Sequence, residues 1–202
     1  AWDRPRGDRS SRSGDGGIYS DRVAIQNIKS RNPLPDLTAQ VRNTGKWGHV
    51  KLAGLVDRAA KGLQLLGVGP GVHVGLYLPN TPHYVIAFFG ILKAGGTVVN
   101  YSPLDAARVL EHKIADSRTD VLVTLDLAAL YPQMAAMLGT TRLRKLVVGS
   151  LAEMTPAPDA VRAQMKAGKQ LSEVPQDDRH LTFAQLIAND GRFQPHPIAD
   201  PR

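Results

Sequence analysis

The 202-residue sequence contains no cysteine. That excludes disulfides, thiolate metal sites and thiol nucleophiles together, and it fits a reducing compartment. Aromatic residues make up only 5% of the chain, too few for the stacking platform of a single-strand nucleic-acid binder. Long apolar runs are missing as well. The longest, Val85–Leu92, falls well short of the ~20 residues needed to cross a bilayer. The first residues lack a basic-then-apolar segment ending in small residues, so no secretory leader is expected there. There is no G-x-x-x-x-G-K-[ST] phosphate loop and no G-x-S-x-G elbow. The histidines (His49, His73, His83, His112, His180 and His196) are scattered, with no pair at metal-ligand spacing.

What is present reads as a folded α/β chain. The hydrophobic fraction is 43%, that of a globular protein. The net charge is +7, and over half of that excess lies in residues 1–49, where Arg4, Arg6, Arg9 and Arg12 alternate with Asp, Ser and Gly. This segment has neither helical nor strand period. The character changes at Val50. Leu52, Leu55, Val56, Ala59, Ala60, Leu63 and Leu66 then recur at spacings of three and four, which predicts an amphipathic helix stopped by Gly67. "VHVGLYL" alternates as a strand. "TPHYVIAFFGILKA" predicts a second helix, with Thr81 as N-cap and Pro82 at its first position. It is apolar nearly all round, so burial on more than one side is expected. "TVVNY" predicts a strand, and "PLDAARVLEHKIADS" a helix with Pro103 near its start. "DVLVTL" predicts a strand, "LAALYPQMAAMLG" a helix kinked or split at Pro132, and "LRKLVVG" a further strand. Such alternation with short connections predicts a parallel sheet flanked by helices. Beyond Ser150 the pattern weakens to one short surface helix, a compact helix capped by Thr182, and a proline-rich extended tail. Three regions follow: an atypical segment over 1–49, an α/β scaffold over 50–149, and surface helices with an extended lead over 150–202.

Individual residues read structurally before they read chemically. "GVGPG" at 67–71 precedes a strand instead of following one, so it is a helix-to-strand turn and not a dinucleotide loop. His83, in the first turn of its helix, suits a surface or capping role. Lys93 at a helix C-terminus complements the dipole while its stem covers apolar surface. Gly95 and Gly96 let the backbone reverse tightly between a helix and a strand.

The stretch "YLPNTPHYVIAFFGILKAGGTVVNYSPL" resembles the adenylate-forming acyl-CoA synthetases, in particular the AMP-forming long-chain fatty acid–CoA ligases. The motif residues that carry the likeness are Asn80 and Pro82 after the strand, Lys93, Gly95 and Gly96 at the helix end, and Asn100 and Pro103 in the following turn. "LVDRAAKGLQLLGVGPGVHVGL" and "EHKIADSRTDVLVTLDLAALYPQMAAML" are similar to the flanking elements of that family, and "LTFAQLIANDG" to its approach to the nucleotide loop. The resemblance runs unbroken from about residue 50. "GKWGHVKLAGL" departs from the family's entry to the first helix. Residues 1–49 therefore read as a divergent extension or as out-of-frame translation.

The resemblance implies part of the large N-terminal domain of an adenylate-forming enzyme. The full-length relative would join a fatty acid to ATP, release pyrophosphate and pass the acyl group to coenzyme A, with Mg2+. The family's Ser/Thr/Gly-rich phosphate loop, its ribose-binding Asp and its C-terminal lysine have no counterpart here. The chain is thus expected to be an N-terminal fragment with no catalytic, cofactor-binding or metal-binding residue of its own. It is expected to be inactive alone and to hold ATP, Mg2+ and coenzyme A poorly. A fatty acid substrate and a cytoplasmic location are expected for the full-length form, for which the resemblance leaves open peripheral association with the inner membrane surface and homodimerisation. Apolar surfaces left uncovered are expected to favour aggregation. Two other readings stand beside this one. One is a non-catalytic binding module with a basic N-terminal arm; interleaved aspartates and the lack of a recognition helix argue against nucleic acid as its partner. The other is a decayed or frameshifted reading frame.

Overall fold

The computed structural model describes residues 47–196; expectations placed on 1–46 and 197–202 lie outside them. In chain order the elements are α1 (Trp47–Leu65), β1 (His73–Leu76), α2 (Pro82–Lys93), β2 (Thr97–Asn100), α3 (Ala107–Asp116), β3 (Thr119–Leu125), α4 (Tyr131–Thr140), β4 (Lys145–Gly149), a 3-10 turn (Leu151–Met154), α5 (Pro158–Ala167), β5 (His180–Thr182) and α6 (Phe183–Leu186). The five strands form one parallel sheet in the order β2-β1-β3-β4-β5. Leu76 sits opposite Asn100 on one side and Val123 on the other, and Val123 opposite Val147. The chain steps one way from β1 to β2 and then crosses back past β1 to β3. With right-handed crossovers this reversal puts α2 and α3 on opposite faces. Accordingly α1 packs on α2 and α6, while α3 packs on α4. Parallel sheets need both faces covered, and Val74, Leu76, Leu122, Val123, Leu125, Leu146 and Val147 are all buried between these layers.

The predicted apolar stripe of α1 is the one that is buried: Val56, Ala59, Ala60 and Leu63. Helices α1 and α2 end alike, at the amino edge of the sheet. The N–H of Val68 bonds the carbonyl of Leu63 (3.0 Å) around Gly67, and the N–H of Gly96 bonds the carbonyl of Ile91 (2.9 Å) around Gly95. This is the six-to-one closure of a helix through a left-handed residue, and Gly95 takes φ +86° to make it. A Cβ there would also stand 2.6 Å from the ring of His196. Between the two helices, a Cβ on Gly90 would stand 2.8 Å from the Cβ of Ala59, so it is the missing side chain that lets them approach.

Residues 189–196 run along the same end of the helices. The Asn189 amide donates to the carbonyl of Arg58 (2.9 Å). The Gln64 side-chain amide donates to the carbonyl of Gln194 (2.7 Å) and accepts its N–H (2.8 Å). The tail that reads as a loose lead is therefore fastened as far as His196.

Four expectations need correction. Helix α2 is buried on one side only: Phe89 is 50% and Leu92 48% exposed, because α1 and the sheet cover just the face bearing Ile86, Ala87, Gly90 and Ile91. Helix α3 starts at Ala107, not near Pro103. Ser102, Pro103 and Asp105 instead form a turn, with Asp105 N–H on the Ser102 carbonyl (3.1 Å), as their side chains favour. Pro132 does not kink α4; it lies in the first turn of a helix that begins at Tyr131, where its missing N–H is no loss. Finally, β5 is a strand at the sheet edge that no periodicity announces, since it has three residues.

Gly95→Ala is expected to destabilise the chain by about 1 kcal/mol or more, from left-handed strain alone. Gly54, in α1 with open space around it, is the internal contrast: Gly54→Ala should stabilise by about 0.5–1 kcal/mol. Urea midpoints of the two variants against the parent check the pair.

Candidate functional site

Strands of a parallel sheet all finish at one edge, and in open α/β sheets ligands sit outside those carboxyl ends. Here that edge collects the unsatisfied chemistry. Among the described residues, the buried side-chain atoms without a hydrogen-bond partner are Thr81 Oγ1, His83 Nδ1, Thr124 Oγ1, Asp126 Oδ1 and Ser150 Oγ. All follow or end β1, β3 or β4. Thr81 precedes α2 with extended backbone, yet its hydroxyl makes no cap bond.

His83 is the centre of the part nearest α2. The expectation of a surface or capping histidine is wrong: the residue is fully buried. Its ring meets Phe183 edge-on, centroids 4.9 Å apart. Its Nε2–H donates to Glu153 Oε1 (3.0 Å), since a carboxylate oxygen can only accept. The same oxygen accepts the N–H of Ser150 (2.7 Å). Glu153 thus joins α2 to the 3-10 turn after β4, and Gly149 leaves the space the imidazole fills.

Asp126 closes β3. Its N–H bonds the carbonyl of Gly149 (2.9 Å) and its own carbonyl accepts the N–H of Ser172 (2.8 Å), so the backbone is fixed at the end of the strand. Burial pushes that carboxyl above its ordinary range; the nearby Ser150 hydroxyl and the Arg162 guanidinium pull it back, and Glu153 pushes it further up.

From there a cleft of about 520 Å³ runs along β4 and β5, lined by Asp126, Glu153, Arg162, Asp177, Asp178 and His180 among others. On its far wall the Asp177 carboxylate accepts from His180 Nδ1 (2.7 Å), and His180 Nε2 accepts from the Tyr131 hydroxyl (2.9 Å). The His180 hydrogen bond holds the Asp177 carboxyl below its ordinary range. Burial pushes the Tyr131 phenol up. With Tyr131 a buried residue, this relay ties α4 to the edge strand.

The motif residues named from sequence do not converge. Helix α2 runs against the strands, so the stretch visits both edges of the sheet. Asn80 is exposed and Pro82 opens α2 at the carboxyl edge. Lys93 lies at the opposite end, 2.6 Å from Asp57 and with its ammonium 5.5 Å from the Phe193 ring centroid, close to Gly95 and Gly96. Asn100 returns to the carboxyl edge, accepting from the Tyr84 hydroxyl (3.2 Å), and the Pro103 carbonyl lies 3.5 Å from the Tyr77 hydroxyl. Sequence reasoning missed His83, Glu153, Asp126 and Ser150 as a group. A usable signal existed for two of them: Ser150 and Glu153 have the S-x-x-E spacing of a capped turn.

A group whose folded-state pKa is raised stabilises below its unfolded value and loses that contribution as pH rises through the raised one. Asp126→Asn is therefore expected to unfold at an equal or higher temperature than the parent at pH 7, with the gap narrowing toward the ordinary carboxylate value of 3.8. Thermal scans from pH 4 to 7 read this, and a variant that loses more at pH 7 than at pH 4 contradicts the assignment.

The fold and this edge can be set beside known proteins. An anthranilate CoA ligase, solved with anthranoyl-AMP, superposes with a TM-score of 0.54 over 73% of this chain and 24% of its own, at 21% identity. That likeness gives the fold: a five-stranded parallel sheet flanked by helices, as in an adenylate-forming ligase. The long-chain-fatty-acid–CoA ligase of Bacillus subtilis is 35% identical over 96 residues, 48% of this chain and 17% of the relative. The salicyl-AMP ligase / salicyl-S-ArCP synthetase of Mycobacterium tuberculosis is 32% identical over 161 residues, 78% of this chain and 24% of the relative. The matches thus span less than a quarter of either curated relative's length. The model of the family described as AMP-binding enzyme matches residues 29–195, most of the chain and every strand of its sheet, and on that match the chain belongs to the AMP-binding enzyme family.

Proposed function

We propose that these residues serve an enzyme that activates a carboxylic acid with ATP, releases pyrophosphate, and transfers the acyl group from AMP to coenzyme A, with a long-chain fatty acid as substrate. The observation that carries the reading is the family match over residues 29–195, and the fatty acid is favoured by the named ligase at 35% identity. An aryl acid is the second reading, because the salicyl-AMP ligase relative aligns over more of this chain, 78%.

The part played by this chain is scaffolding. Adenylation needs backbone N–H groups around the phosphates and positive charge against the developing negative charge. The cleft at the carboxyl edge has the opposite character: four carboxylates (Asp126, Glu153, Asp177, Asp178) face one guanidinium, Arg162. It does not fit a triphosphate, its Mg2+ complex or the phosphates of coenzyme A, and no step of the reaction is assigned to it. What the chain supplies is a rigid sheet edge and the fastened segment 189–196.

Two measurements test this. The 202-residue chain is expected to release no pyrophosphate with ATP and palmitate. Residues 50–196, exchanged for their counterpart in the Bacillus subtilis ligase, are expected to sustain palmitate-dependent release. A hybrid active on salicylate alone would move the assignment to aryl acids, and activity of the isolated chain would refute the scaffolding role.

A further inference from the structure

The two outermost strands of the sheet are guarded differently. Strand β5 is three residues long and is preceded by exposed Asp177, Asp178 and Arg179; shortness and charge keep an outer strand from pairing with another chain. Strand β2, Thr97–Asn100, has no charge, no proline and an unbroken register with β1, its one neighbour among the described residues. The hydrogen bonds show which of its groups are free. The Thr97 N–H is spent on the Val72 carbonyl (2.8 Å) and the Tyr101 N–H on the Leu76 carbonyl (2.9 Å). Alternate residues of a strand present their main-chain groups to alternate sides, so Val99 also faces β1. The N–H and carbonyl groups of Val98 and Asn100 point outward. Helix α2 continues this surface. Half a turn from Gly90, where α2 meets α1, come Val85, Phe88 and Leu92; Val85 is 37% and Leu92 48% exposed. Tyr84 stacks on Phe88 (centroids 6.0 Å apart) and its hydroxyl reaches Asn100 (3.2 Å), so this flank of the helix stands over β2. The flank is uncharged: His83 is buried and Lys93 is turned to Asp57 (2.6 Å).

We propose that a second copy of this chain pairs with β2, antiparallel, about a two-fold axis normal to the sheet and centred on Val99, so that the two sheets run into one. Register is the first reason for a second copy. Residues opposite one another in such a pair must face the same side of the sheet. Asn100, held by Tyr84, places Val98 and itself on the α2 side; Tyr101, bonded to Ser117 and Thr119, places Val99 on the other. An axis through Val99 sets Val98 against the partner's Asn100, and both carry outward groups. Each such pair exchanges both its bonds, so the outward groups of the two strands are used together. Spacing is the second reason. Paired strands lie about 4.8 Å apart, and α2 packs over both β1 and β2, roughly half a strand spacing inside β2. The two α2 axes then stand roughly 10 Å apart, the contact distance of packed helices. Charge is the third. A neutral flank meets its own copy without like-charge repulsion, although the chain as a whole carries +7. A strand from within the same chain would satisfy β2 but bring no second α2 flank to cover Val85 and Leu92. The surface is small for a specific interface, which calls for a dimer that separates on dilution. The inference does not rest on the adenylation chemistry proposed above.

Because the chain has no cysteine, one introduced thiol reports the contact without ambiguity. In the proposed register Val99 and its own copy form a non-hydrogen-bonded pair with Cα atoms about 4.5 Å apart, within reach of a disulfide. The full chain carrying Val99→Cys is expected to oxidise to a covalent dimer. Val98→Cys is set two residues off its own copy, and Leu65→Cys lies 70% exposed at the far end of α1; each is expected to cross-link at least tenfold more slowly. Sedimentation of the parent should show a reversible monomer–dimer equilibrium. Val85→Glu, which puts a charge on the α2 flank at a partly exposed position, should weaken it at least tenfold while leaving the circular dichroism spectrum unchanged. A parent that stays monomeric to roughly 1 mM, the weak end of measurable association, overturns the proposal and leaves β2 paired within its own chain or bare. So do cross-linking of Val98→Cys or Leu65→Cys as fast as Val99→Cys, and self-association that Val85→Glu does not weaken. If Val85→Glu does not fold, the ranking of the three thiol variants, each a small and uncharged change, decides it.

Discussion

The contact between α1 and α2, where Gly90 lies against Ala59, is what the rest of the sheet depends on. A parallel sheet is stable only when both faces are shielded from water, and one face here is shielded by a pair of helices that must sit almost backbone to backbone. That closeness lets the pair shield one face of the sheet, with α2 lying on β1 and β2. It also fixes where both helices stop. Each closes through a glycine at the amino edge; β2 begins two residues after Gly95, and β1 follows Gly67 after a turn through residues 68–72. Because β1 and β2 start from the same level, their register follows, with His73 opposite Thr97 and Leu76 opposite Asn100.

The two edges of the sheet then differ in kind. The amino edge is tightly finished: helix closures, the Lys93–Asp57 pair at 2.6 Å and the Gln64–Gln194 bonds satisfy its polar groups. The carboxyl edge is where partners run out. His83 and Glu153 satisfy one another in part, but the other ring nitrogen of His83, the hydroxyls of Thr81, Thr124 and Ser150, and one oxygen of Asp126 are left bare. Packing and polar satisfaction are strict at one end and relaxed at the other, the asymmetry expected when one edge carries function and the other carries the fold.

Much of the architecture was legible in the sequence because it depends on local period. The stripe Val56, Ala59, Ala60, Leu63 and the runs His73–Leu76, Thr119–Leu125 and Lys145–Gly149 each declare their own element. Pro132 and Pro103 were misread because a proline marks either the start of a helix or a turn before one, and only the neighbouring contacts choose between them. The stop of α5 was beyond reading for the opposite reason: Gly168 sits beside it, yet the left-handed residue is Lys169, at φ 53°. The carboxyl-edge site was the least legible. His83, Asp126 and Ser150 belong to three segments that become neighbours only once the strand order β2-β1-β3-β4-β5 is known, and a lone histidine on an apolar helix gives no hint of a carboxylate seventy residues away.

The paired bonds between Gln64 and Gln194 carry a mechanical meaning. A side-chain amide here does the work of a neighbouring strand, donating to the main-chain carbonyl and receiving the main-chain N–H of one residue. With Asn189 tied to Arg58 and His196 lying on Gly95, tension arriving from beyond His196 is delivered to the two long helices rather than to the three-residue strand β5. The weakest strand of the sheet is thereby isolated from whatever the chain is pulled by.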